Sequence, residues 1–326
     1  MAITEAYCEQ LKRIVGIYEA QEEYFDRPAS ARRRFVFRCA DETCRAANWP
    51  LIVGVNYDKD AEDSETYLQP HFKTHPRYPH IPSCLYSSDQ AVVVVNAPDG
   101  AARGDSHHPH AKITNVIDVF TPRSADIPRR ELVPAEIPAA TPGSDTSTEA
   151  APRDPDATAA RAGVSRTSRL ETVIDCWSQL SPEERPRRHL SIAGRPLGYD
   201  RLCVHLTQLR PDENGERIVY GGAHARPWPE HAPTLYFVNF IDRLEQFPEA
   251  NGDHSLVIAL PTDRLRQSRR GGLLTHRIEQ SSRPDHYLRV YAWGVIVPRG
   301  RRPGYQIEVA SLGNLVLKSI QKTTSS

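Results

Sequence analysis

Cys39 and Cys44, in the stretch FRCADETC, are followed downstream by His71, His75, His80 and Cys84 in PHFKTHPRYPHIPSC. Thiolate and imidazole are the donors zinc prefers, four at a time, and two of them a few residues apart reach one ion from a single turn of chain. Cys39 with Cys44 and His80 with Cys84 have that spacing, so the expected ligand set is Cys39, Cys44, His80 and Cys84. His75 is the main substitute for His80, and His71 comes third. Four protein ligands leave a tetrahedral ion no open position, and a catalytic ion needs one together with a nearby base. Neither His-Glu-x-x-His nor the deaminase His-x-Glu with Pro-Cys-x-x-Cys occurs in the sequence. The expectation is therefore a structural zinc ion and no catalytic residue. His107, His108 and His110 in SHHPHAK read as a solvated loop. Cys8, Cys176 and Cys203 stand apart from the cluster in apolar surroundings and read as buried small hydrophobes.

FRCADETC followed by PHFKTHPRYPHIPSC resembles the N-terminal zinc-binding segment of CoiA-like competence family proteins of bacteria, in which a Phe-x-Cys-x2-Cys element precedes an HF pair and then His-x3-Cys. Here the first gap is wider, four residues between Cys39 and Cys44. The resemblance implies a zinc module attached to DNA-handling machinery. It carries over no active site, since the acidic pair followed by Glu-x-Lys of a nuclease is not found.

The elements around these residues follow from patterning. At 326 residues the chain is long enough for two domains. Tyr7, Cys8, Leu11, Ile14, Val15 and Tyr18 recur at helical spacing, predicting an amphipathic helix over 4–25 that Pro28 ends. The apolar runs FVF, PLIVGV and AVVVV (91–95) predict strands of a small β-rich module, giving an N-terminal domain over 1–121. Residues 122–164 are rich in Ala, Pro, Ser, Thr and Asp with almost no aromatics, a composition that cannot offset its own ordering entropy; they read as a disordered linker.

A second domain is expected over 165–326. Ser168 with Glu171 three residues on suggests a capping box opening a helix, and YDRLCVHLTQL suggests a second helix. Five strand-like segments follow (217–227, 234–240, 254–261, 287–298 and 305–318), with a helix from Thr262 between the third and fourth. Three strands, a helix and two strands resemble the element order of a five-stranded OB-type barrel, with Gly221 and Gly222 supplying a bend. The fold class is thus α+β: zinc module, linker, then a helical segment and an OB-like barrel.

The chain has 41 basic and 41 acidic residues, so nucleic-acid affinity would have to come from local asymmetry. Residues 165–326 supply it, with 23 Lys and Arg against 17 Asp and Glu. The surplus gathers in Arg264, Arg266, Arg269 and Arg270 and in Arg299, Arg301 and Arg302, the last three in the turn that would flank an OB groove. Tyr291 and Trp293, on one face of a strand, are candidates to stack bases, with Tyr220 and Tyr236 behind them. No secretory signal or membrane-length apolar run is present, and a cytoplasmic location is expected. Phosphate-binding loop, nucleophile elbow and dinucleotide fingerprint are all missing from the sequence. The function that fits is non-enzymatic binding of nucleic acid, single-stranded DNA foremost, of the kind mobile-element or defence systems use. A protein-interaction scaffold or accessory subunit is the alternative, and a metal-dependent nuclease related to CoiA-like proteins the third.

Overall fold

The computed structural model describes residues 3, 5–59, 70–84, 86–87, 117–129 and 166–322. The AVVVV strand, His107, His108 and His110 lie outside them, as does the expected linker from 130 onward. The chain divides into two compact units, residues 1–24 with 30–115 and residues 25–29 with 116–326. No helix among the described residues is long and apolar enough to cross a membrane.

The first unit is an antiparallel sheet of five strands, β1 (Glu5–Cys8), β2 (Arg13–Gly16), β3 (Phe37–Arg38), β4 (Leu51–Val55) and β5 (His71–Thr74), in the order β2-β1-β3-β4-β5. Two helices, α1 (Ile17–Phe25) and α2 (Glu42–Asn48), interrupt it. The helix expected over 4–25 is therefore a hairpin followed by a shorter helix. Ala6 and Cys8 are buried while Glu5 and Tyr7 are not, a period of two that the β3 partner on the far side of β1 enforces; the turn passes through Lys12 at φ 54. Aromatic rings fill the core. Phe37 sits 4.9 Å from Phe72 and 5.3 Å from Tyr57, and a Cβ on Gly54 would come within 2.6 Å of the Phe37 ring. Only glycine lets β4 lie this close.

The second unit mixes helices with two sheets. Its smaller sheet has the order β7-β6-β8-β9, from β6 (Val119–Phe120), β7 (Arg166–Thr167), β8 (His189–Ile192) and β9 (Arg195–Gly198). Helix α3 (Leu170–Gln179) packs with it around Phe120, Val173, Ile174 and Leu190. Residues 117–129, divided in the sequence between the N-terminal domain and the linker, belong to this unit. Arg123 donates its amide to Asn314 Oδ1 (3.0 Å), Arg269 donates its amide to the Ile127 carbonyl (3.0 Å), and Asp126 takes the Arg264 guanidinium at 2.7 Å.

The larger sheet has eight strands: β10 (Cys203–His205), β11 (Ile218–Trp228), β12 (Leu235–Phe240), β13 (Leu256–Pro261), β14 (His286–Ala292), β15 (Val295–Pro298), β16 (Tyr305–Glu308) and β17 (Leu315–Gln321). Its order is β15-β16-β13-β12-β11-β14-β17, with β10 also pairing β11. Each of the five expected strand segments is present, the last two each split in two. They do not close into a barrel: the path ends at β15 and β17, which do not pair, and the sheet is open. The segment expected as a second helix is instead two 3-10 turns around β10. Gly221 makes room rather than a bend, because a Cβ there would meet Leu206 at 2.5 Å.

One face of this sheet carries Val238, Ile258, Leu260, Leu288, Val290 and Leu317 and is covered by α4 (Thr262–Gln267) and α5 (Gly271–Ser281) through Leu265, Leu274 and Ile278. On the opposite face, Ile218, Tyr291 and Val316 are covered by α3 and the smaller sheet. That second cover stops at β14 and β11; farther along the same face Leu235, Phe237 and Ala259 are half-buried and Val257 is buried, with no part in the α3 core.

Glu171 does not make the expected capping box. Arg169 is the N-cap residue of α3 and makes no side-chain cap bond. Glu171 is buried at 3% exposure and bonded to Arg270 (2.8 Å) and Arg277 (2.9 Å), which are themselves buried. Burial alone would raise its pKa, but the Arg277 and Arg270 guanidiniums outweigh that and hold its carboxyl far below the usual carboxylate range. A carboxylate with a depressed folded pKa stabilises the protein above its unfolded pKa of about 4.3 and loses that contribution as pH falls toward the folded value. Glu171→Gln removes the carboxylate that both buried guanidiniums face and should cost about 3–5 kcal/mol at neutral pH. Denaturant melts of the wild type should lose stability progressively below about pH 4, and those of the variant should change less over the same acid range.

Candidate metal centre and candidate nucleic-acid interface

Cys39 follows β3 directly, and its amide extends the β3–β4 ladder by donating to the Pro50 carbonyl at 3.2 Å. Cys44 lies in the first turn of α2, where Asp41 as N-cap accepts its amide at 3.1 Å. This helix start explains the wide Cys39 to Cys44 spacing: a bend at Ala40, the Asp41 cap and a helical turn bring both sulfurs to one side. Arg45 braces the corner by donating to the Cys39 (2.8 Å) and Ala40 (3.1 Å) carbonyls, with its guanidinium carbon 4.4 Å from the Tyr7 ring centre.

His80 and Cys84 come from the turns after β5. The Cys84 amide donates to the Ile81 carbonyl at 2.9 Å, and the Tyr86 amide points at the Cys84 sulfur at 3.4 Å. Asn48 of α2 ties the two halves by donating to the Pro79 carbonyl at 3.3 Å.

Together they place Cys39 Sγ 3.5 Å from Cys84 Sγ, Cys44 Sγ 3.5 Å from His80 Nδ1, and His80 Nδ1 3.3 Å from Cys84 Sγ. The four ligand atoms all lie within 4.8 Å of one another, close enough to hold one metal ion. His75 is elsewhere: its Nδ1 accepts the Arg77 amide at 3.3 Å and its ring packs on Tyr78. His71 is exposed on β5. The fourth donor is thus His80.

Burial sets the electrostatics of the cluster. It pushes the Cys39 thiol well above its ordinary value, raises that of Cys44 and lowers His80. The lowering favours the neutral imidazole, the form that can bind a metal, but three thiolates in this setting need a cation beside them. A metal ion binding here must displace the thiol protons, so its affinity drops as pH is lowered.

The expected nucleic-acid residues scatter. Arg270 is buried against Glu171, and Tyr291 is 8% exposed, stacked on Tyr220 at 5.7 Å within the α3 core; neither can meet a ligand, a correction to both assignments. Trp293 is partly buried there too, edge-on to Phe120 at 6.2 Å. Arg264 is spent on Asp126 and on the Val309 and Ala310 carbonyls (2.9 and 3.0 Å). Arg269 is half-buried, and exposed Arg266 faces Asp263 at 3.4 Å.

Arg299, Arg301 and Arg302 remain. Their turn is pinned by Asn251, whose amide donates to the Gly300 (2.7 Å) and Arg302 (3.1 Å) carbonyls, and Gly300 takes φ 65. Arg301 and Arg302 are exposed, and Arg299 lies 6.0 Å from the Phe237 ring centre. Beside the turn is a groove of roughly 290 Å³ lined by Leu235, Phe237, Val257, Ala259, Arg299, Arg302 and Gln306. Phe237 and its strand neighbour Arg226 were not singled out in the sequence; the alternation along Arg226-Pro227-Trp228 was the available signal. Comparison with protein-family models, with curated proteins and with solved structures finds no match to this chain.

Metal analysis should find one ion per chain in the wild type and in His75→Ala, and little or none in Cys84→Ser. An equal metal content in Cys84→Ser would remove Cys84 from the ligand set.

Proposed function

We propose that the protein is a non-enzymatic nucleic-acid-binding protein, held in its N-terminal unit by a structural zinc ion and binding single strands through its second unit. The observation that carries the reading is the groove at the Arg299–Gly304 turn: an apolar floor from Leu235, Phe237 and Ala259 and a rim of Arg299 and Arg302, on the strip of sheet without a helical cover. Single strands are held by this combination, cations along the backbone and apolar or aromatic surface under the bases.

Zinc suits the Cys39, Cys44, His80 and Cys84 donors in number, type and spacing. A tetrahedral ion with bonds of about 2.0–2.3 Å sets its ligand atoms about 3.5–3.8 Å apart, and the contacts of 3.3 to 3.5 Å here fall within a few tenths of that. Four protein donors fill the shell, which favours a structural ion over a catalytic one. The ion would tie the start of α2 to the turns after β5, two segments with little else between them. The likeness of FRCADETC and HIPSC to CoiA-like segments points the same way, toward DNA handling.

Fluorescence anisotropy with a labelled oligothymidylate at two salt concentrations tests this reading. Each phosphate neutralised contributes about 0.7 to the slope of log K against log salt for a single strand, so Arg299→Ala with Arg302→Ala should weaken binding and flatten the slope by about 1–1.5. A wild type that binds no oligonucleotide at low salt, yet retains a protein partner in pull-downs, would move the assignment to an interaction scaffold.

A further inference from the structure

Along β11, His224, Arg226 and Trp228 are all exposed, while Ala223 and Ala225 turn toward the main core. The β11–β12 register pairs Trp228 with Leu235 and Arg226 with Phe237, so these four side chains share the outward face. Trp228 is 62% exposed, more than any other large apolar side chain described. It stands beside the groove rather than alone, since Leu235 and Phe237 line both. Among the outward-pointing residues of β11, β12, β13 and β16 the sole carboxylate is Glu308, which is engaged by Gln306 at 3.1 Å. The surface is therefore aromatic and cationic.

We propose that Trp228 and Phe237 form a stacking platform on which each ring holds one base of an extended single strand, with Arg226, Arg299 and Arg302 meeting its phosphates. This rests on the nucleic-acid reading above and specifies the strand state and the residues that read it. Spacing decides the strand state. Trp228 and Phe237 are diagonal neighbours across an antiparallel pair, so the backbone positions that carry their rings are about 7–8 Å apart. Successive bases within one strand of a duplex are about 3.4 Å apart, so two such rings cannot take adjacent bases from a helix but fit a strand with its bases drawn apart. The backbone that carries the rings is also fixed before the ligand arrives. β12 is paired along its length on both sides, to β11 and to β13, so the platform needs little ordering on binding. Stacking is tolerant of base identity because every base has a π-face, so little sequence preference follows.

The test uses the full chain, a labelled oligothymidylate and a duplex of the same length, at two salt concentrations. Wild type should prefer the single strand. Trp228→Ala and Phe237→Ala should each lower its affinity about tenfold or more with the salt slope unchanged, because stacking releases no counterions. Trp228→Phe should keep most of the affinity. Arg226→Ala should flatten the slope. If the wild type binds the single strand and both aromatic variants bind it equally well, the platform is wrong while the nucleic-acid reading stands. If the wild type binds duplex as tightly as single strand, the strand-state claim is overturned. If it binds neither, the nucleic-acid reading fails and takes the platform with it.

Discussion

The second unit is organised around a charge that has been taken out of water. Glu171 lies on α3, on one face of the large sheet, and its partners Arg270 and Arg277 lie at the start and in the middle of α5, which packs on the other face. The two helices can meet only past the end of the sheet, and both pack on β17, its last strand. Lys318 of β17 joins them through Asp175 at 3.2 Å. Desolvating these groups costs several kcal/mol per ion unless each is paired. The geometry of the edge is thereby tightly specified: β17 has little freedom to slip in register or recruit another strand, which an open edge would otherwise invite. At the β15 end no buried ion pair is seen among the described residues; there Asn214 holds the Ile296 amide and carbonyl, each at 2.8 Å.

This asymmetry sorts the arginines. The sequence shows a surplus of basic residues in 165–326 but not which of them already have partners. Arg270 and Arg277 neutralise a buried carboxylate and Arg264 holds Asp126, whose segment the composition assigns to a linker. The aromatic residues sort in the same way. Tyr291 and Trp293 do share a strand face as their spacing requires, but that stretch of the face lies under α3. Phe237 and Trp228 are on the same side of the same sheet, farther along, beyond the cover. Alternation reveals that two residues share a face; whether anything covers it depends on where a helix many residues away in sequence packs.

The metal cluster was legible for the opposite reason. Its donors come in two close pairs, each positioned by local structure: a capped helix start for Cys44 and a tight turn for Cys84. The choice of His80 over His75 rests on its spacing of four from Cys84, and that spacing is what the turn uses. The N-terminal helix failed because its stripe, with Cys8 and Val15 buried, serves a hairpin just as well. The strands of the large sheet were visible segment by segment, each apolar run giving itself away. Barrel closure was not, because it depends on hydrogen bonds between β15 and β17, and no run of residues encodes a pairing between edges.

The cover over the large sheet also bears on why Trp228 can remain exposed and Phe237 half-buried. An uncovered apolar strip is ordinarily a liability, since it invites association with other chains. Here the strip is broken up by cations: Arg226 opposite Phe237, Arg299 beside its ring, Arg302 on the adjoining turn. Like-charged rims facing each other repel, which works against two copies of the chain joining through this surface. The same rim would suit the polyanion proposed above. One arrangement of side chains would then serve that proposal twice, by working against contact between two copies of this face and by favouring an anionic strand whose bases meet the rings.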